Sequence, residues 1–117
     1  MIEMRRYELF GHNSHELYER FARHTCRIFE RLGFDQVGYF RTVIGDGPDL
    51  IYLLRWESLD QRDAAWRRFH ADPEWRAVRS SSTSDYGLLV ARTHSSILEA
   101  LPFSMLKLPA FSCQGAS

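Results

Sequence analysis

The chain has 117 residues, the length of one ordinary domain, and 44% of them are hydrophobic, enough for a packed core without disulfide staples. Its formal net charge is zero, which argues against nucleic acid as a partner, because a phosphate backbone calls for a basic excess. Cys26 and Cys113 are too far apart in sequence to suggest a disulfide framework or a metal cluster. The opening residues do not read as a signal peptide, and no run is long enough to span a bilayer. The expectation is a cytoplasmic protein with reduced thiols, no membrane contact and no nucleic-acid partner.

Ile2 to Phe10 reads as a strand, with Glu3, Arg5 and Tyr7 on one face and Met4, Arg6 and Glu8 on the other. Gly11 to Ser14 is a turn. Asn13, with Glu16 three residues on, is the expected cap of a helix from His15 to Leu32. Leu17, Phe21, Ile28 and Leu32 give that helix its apolar stripe, and Gly33 ends it. Val37 to Ile44 is a second strand. The cluster Gly45-Asp46-Gly47-Pro48-Asp49 turns it back into a third, Leu50 to Trp56.

Ser58 with Gln61 forms a capping box for a helix over Leu59 to Ala71, with Leu59, Trp66 and Phe69 inward and Arg62, Arg67 and Arg68 solvated. Asp72 precedes Pro73, so this helix stops there, and Pro73 starts a short extra helix to Arg79. Ser80 to Ser84 reads as a loop, and Tyr86 to Ser96 as the fourth strand. The domain spans 1–104, followed by a tail over 105–117.

The order strand, helix, strand, strand, helix, strand is the ferredoxin-like βαββαβ unit, an α+β fold with a four-stranded antiparallel sheet. Strands one and three should lie side by side at its centre, with both helices on one face. The third strand is apolar on both faces. Ile51 and Leu53 suit the helix side, which leaves Tyr52, Leu54 and Trp56 on a bare face that a second copy would cover.

Five segments stand in ordered series: Glu3-Met4-Arg5-Arg6-Tyr7, Val37-Gly38-Tyr39-Phe40, Ser58-Leu59-Asp60-Gln61-Arg62, Asp72-Pro73-Glu74-Trp75, and Ile97-Leu98 with Pro102-Phe103-Ser104. Through them the chain resembles the NIPSNAP family of the dimeric α+β barrel superfamily. It implies a homodimer with a sheet-lined cavity and says little about activity. The chain departs from the family at Arg6, where a small or branched residue is usual, and at Tyr52, Leu54 and Trp56, where His, Trp and Tyr often stand.

Glu3, Arg5 and Tyr7, with Tyr52 and Trp56 on the neighbouring strand, are the candidate ligand-binding residues. A cation, a carboxylate, a phenol and aromatic walls suit an anionic or phenolic aromatic molecule. Against that stands a purely structural role, with Glu3 and Arg5 pairing to hold the barrel closed. The register of the second strand is open: either Tyr39 and Arg41 or Phe40 and Thr42 join the cavity. His12, His15, His24, His70 and His94 show no ligand spacing, so no metal is expected. His24 borders the first helix's inward stripe, and Trp75 reads as an anchor of the second helix on the core. No nucleophile elbow, phosphate loop or cofactor motif occurs.

Two functions compete. One is an enzyme of secondary or catabolic metabolism working without a cofactor, of oxygenase, cyclase or lyase type. The other is a non-catalytic ligand-binding or adaptor protein that docks through its outer helices. The first is favoured because a polar-aromatic cavity is costly to keep for packing alone.

Overall fold

A computed structural model describes residues 1–106; Cys113 and most of the expected tail lie outside them. The elements are β1 (Ile2–Leu9), α1 (Ser14–Arg20), a π-helical segment (Phe21–Thr25), α2 (Cys26–Arg31), β2 (Asp35–Phe40), β3 (Asp49–Arg55), α3 (Leu59–Ala71), α4 (Pro73–Tyr86) and β4 (Val90–Leu98). The strands form one antiparallel sheet in the order β2-β3-β1-β4, so β1 and β3 are central as expected.

The polarity of the sheet is opposite to the sequence expectation. Tyr52, Leu54 and Trp56 are buried beneath the helices, with Tyr52 against Phe21 and Phe29, and Trp56 against Phe34. Glu3 shares that face through its register with Leu54. The bare face carries Ile51 and Leu53 instead, with Met4 and Phe40 beside them, 36% and 53% exposed. Alternation along a strand fixes which residues share a face, but not which face the helices choose. Here the larger rings went inward, where α2 and α3 supply aromatic partners. Tyr39 pairs in register with Tyr52 and stacks on it at 5.4 Å, which resolves β2: Tyr39 shares the helix-covered face and Phe40 the bare one.

The first helix is bent to its task by the π segment. Leu17, Phe21, Thr25 and Phe29 are four residues apart and all buried. In a plain α-helix each such step overshoots a turn by about 40°. The wider π turn absorbs that drift and keeps the stripe on the sheet. Asn13 does not cap this helix by its side chain. Its amide instead donates to the carbonyls of Tyr86 and Leu88, tying the helix start to the end of α4.

Ser58 does cap α3, accepting from the Gln61 backbone N–H at 3.0 Å, while Gln61 Oε1 accepts from the Glu57 N–H at 2.7 Å. Trp66 and Phe69 point inward as expected, but Leu59 is exposed and Arg62 turns in to Glu3. Asp72 caps α4 by accepting from the Trp75 N–H and also takes Arg31. α4 is twice as long as expected: Ser80 to Ser84 stay helical, and the helix ends only at Gly87, whose φ of 75° few side chains tolerate. Arg6, unusual for the resemblance, bonds Asp49, which also accepts from the Thr42 N–H and hydroxyl and so fastens the β2–β3 hairpin.

Candidate active site

A cavity of about 380 Å³ lies between the sheet and the helices. β1 supplies Arg5 and Tyr7, α3 supplies Trp66 and His70, α4 supplies Trp75 and Arg79, and Arg20 enters from the end of α1. Trp66 stands where it does because α3 buries residues 65, 66 and 69 on its sheet-facing side, with the exposed His70 at the edge of that face by the cavity. Trp75 is fixed by the Asp72 cap and stacks on Phe69 at 4.5 Å.

Arg5 is held on all sides. Its Nε donates to the Tyr52 hydroxyl at 2.9 Å, Nη1 to Glu3 at 3.3 Å and Nη2 to the Tyr7 hydroxyl at 3.3 Å. Its guanidinium carbon sits 4.3 Å from the centre of the Trp66 ring. Burial by itself weakens Arg5 as a base, but Tyr52, Tyr7 and Glu3 more than offset this, so it stays firmly charged.

The Tyr7 and Tyr52 hydroxyls are 2.7 Å apart. Tyr52 is fully buried and already accepts from Arg5, so its own hydrogen goes to Tyr7. Tyr7 therefore accepts from Tyr52 and Arg5, and its hydrogen is left for the cavity that its ring lines. Burial, chiefly, pushes the Tyr52 phenol well above the ordinary range, which keeps that hydrogen in place.

Glu3 forms the base of the site. Its Oε1 accepts from Trp56 Nε1, Trp66 Nε1 and Arg62 Nε at 2.9–3.0 Å. Its Oε2 accepts from Arg62, Ser95 and Arg5 at 3.0–3.3 Å. Burial raises its pKa, but bonds from Arg62, Trp66, Ser95 and Trp56 outweigh that and hold it at about 2. Of the five residues expected from sequence, Arg5 and Tyr7 line the cavity. Glu3, Tyr52 and Trp56 stand behind its wall and position the two that do.

Sequence reasoning missed Arg20, His70 and Arg79 and gave Trp66 and Trp75 only packing roles. One signal was available: Trp66 and His70 are four apart on α3 and so share a face. They stack at 5.8 Å. Burial, then the charges of Arg5 and Arg79, depress the His70 pKa and leave the ring neutral at pH 7. His24 lies away from this cavity, in a wider groove of about 580 Å³ between α1 and α4. That groove has Tyr86 at its end but no indole wall, and no group of His, Cys, Asp and Glu suited to a metal ion occurs among the described residues.

A four-stranded antiparallel sheet with its helices on one face, and a polar-aromatic cavity between them, places the protein among ferredoxin-like α+β folds. The NIPSNAP family model matches residues 2–105, and the chain belongs to that family. A NIPSNAP-like domain protein from Burkholderia xenovorans is similar over 97% of this chain and 95% of its own, at 26% identity and a TM-score of 0.78. A NIPSNAP family protein from Agrobacterium tumefaciens is 26% identical over 91% of this chain and 97% of its own, with a TM-score of 0.79. A Streptomyces coelicolor monooxygenase, solved with nanaomycin D, shares the fold at 17% identity over 93% and 91% of the chains, with a TM-score of 0.53. No curated protein matches the chain in sequence. Among the described residues no helix is long and apolar enough to cross a membrane.

Proposed function

We propose that this protein binds a small aromatic molecule bearing an acidic or phenolic oxygen in the cavity between sheet and helices, and transforms it with its own side chains. The observation that carries this is the Arg5–Tyr7–Tyr52 cluster. It leaves one phenolic hydrogen unspent at the end of a cavity walled by Trp66 and Trp75, beside a fixed cation. A ligand ring packs beside the indoles, against the part of each that lines the cavity, and its oxygen accepts from Tyr7. If charge develops on that oxygen, as in forming an enolate or phenolate, the Tyr7 bond strengthens and Arg5 supplies a fixed positive field. Neutral His70, next to Trp66, is the group placed to take a proton. Such chemistry fits an oxygenase, cyclase or lyase of secondary or catabolic metabolism. A fold neighbour that holds nanaomycin D supports small-molecule binding by this architecture.

The same reading makes the protein a homodimer, but through the bare face of the sheet and not through Tyr52 and Trp56. Met4 and Phe40 on that face, and Val43 and Ile44 at the hairpin tip, 87% and 95% exposed, are apolar surface that a second copy would cover.

The test of the ligand reading uses 4-nitrophenolate, whose visible band moves when its oxygen accepts a hydrogen bond. The expected result is a band shift with the native protein and its loss in Tyr7→Phe, with affinity roughly 10- to 150-fold weaker, as for one charge-assisted bond. Equal shift and affinity in the two proteins would refute the role of Tyr7.

A further inference from the structure

Arg20 is the one cavity arginine that is both largely buried and without an ionic partner. Its Nε is buried and has no hydrogen-bond partner. Its Nη1 makes one long contact, 3.4 Å, to the Ser82 hydroxyl, and its guanidinium carbon lies 5.1 Å from the centre of the Trp75 ring. No carboxylate of the described residues comes within 4.0 Å of it: Glu19 is engaged by Arg23, and Glu3 by Arg62 and Arg5. Burial, and then the charge of Arg79, weaken the Arg20 guanidinium as a base. Arg5, by contrast, already has bonds at Nε, Nη1 and Nη2. Burying a cation with an unsatisfied donor is costly unless an anion completes it.

We infer that Arg20, not Arg5, is the residue that bonds the ligand's anionic group, while Arg5, its donors already taken, orients Tyr7 and acts only as a fixed charge. This rests on the cavity reading above and narrows its ligand to an aromatic anion, whose ring lies between Trp66 and Trp75 and whose charged oxygen reaches Arg20. One competing account is present in the structure. Glu16, one turn before Arg20, also has a buried oxygen without a partner, and the two side chains both line the outer groove. If a side-chain rotation pairs them, Arg20 is structural.

The two accounts separate with 2-naphthoate and its uncharged amide, followed by tryptophan fluorescence and calorimetry, in the native protein, Arg20→Met, Arg20→Gln and Glu16→Gln. The native protein should prefer naphthoate to the amide by roughly tenfold or more, the value of a charge-assisted bond. Arg20→Met should lose the preference, bind the amide as before, and melt no lower than the native protein when empty, since an unneutralised buried cation has been removed. Glu16→Gln should keep the preference. A preference that survives in Arg20→Met overturns the assignment while leaving the cavity reading standing. Equal loss of stability in Arg20→Met and Glu16→Gln, or failure of both Arg20 variants to fold, makes Arg20 structural and overturns it. Binding of neither probe by the native protein overturns the cavity reading and this assignment together.

Discussion

Replacing Glu3 by Gln keeps the volume of the side chain and removes only its charge and one acceptor. In the native protein the carboxylate accepts from Trp56, Trp66, Arg62, Ser95 and Arg5, with both oxygens used. A Gln amide turns its NH2 toward donors whichever way it is placed, so at least two contacts become donor against donor. Arg62 and Arg5 also lose their shared counter-charge. The carboxyl falls from the ordinary 4.5 to about 2 on folding, which corresponds to about 3 kcal/mol at about 1.4 kcal/mol per tenfold. Breaking one side of a buried ion pair costs about 3–5 kcal/mol. Glu3→Gln should therefore lower stability by about 3–5 kcal/mol, or roughly 10–20 °C in Tm for a domain of this size. Its pH signature follows from the direction of the shift. Because the folded carboxyl titrates below the unfolded one, its contribution is present above about pH 4.5 and is lost as pH falls toward 2. The assay is urea unfolding at fixed protein concentration from pH 7 to pH 2. The variant should be less stable at pH 7 and show a shallower decline between pH 5 and 2. A loss under 1 kcal/mol with an unchanged acid limb would refute the claim that Glu3 anchors the site.

Three further outcomes are expected. Ser58→Ala should cost about 1 kcal/mol in chemical denaturation by removing the α3 cap, without changing ligand affinity; unchanged stability would count against that cap. Leu53→Asp on the bare face should convert a dimer to a monomer in sedimentation, whereas a native protein that is already monomeric would sink the dimer proposal. His70 should titrate below the ordinary 6.5 by NMR, and Arg79→Met should move it back upward; a His70 value at or above 6.5 would remove it as a neutral base near pH 7.

The order of elements, the central β1–β3 pair and the Ser58 cap were legible because each rests on local signals: alternation, turn residues and a capping box. The direction in which Tyr52 and Trp56 point was not, because Leu50 to Leu54 is apolar on both faces. The face was settled by partners far away in sequence, Phe29 and Phe34 for the rings and Arg62, Trp66 and Ser95 for Glu3. The same holds for α4, where a run of serines with weak helix propensity stays helical to Gly87. Asn13 was a sound cap by sequence, yet its amide is spent on Tyr86 and Leu88 across the fold. Arg5 and Tyr7 were legible as a pair on one face; Arg20 was not, since only the tertiary structure shows that it lacks a counter-charge.

The central claim is that the space between sheet and helices, not the bare face of the sheet, holds an aromatic anion. A crystal soaked with 2-naphthoate tests it most directly. The account predicts the ring between Trp66 and Trp75, with a carboxylate oxygen within hydrogen-bond distance of Arg20 or the Tyr7 hydroxyl. Naphthoate bound only against Ile51 and Leu53, with the inner cavity free of it, would contradict the account.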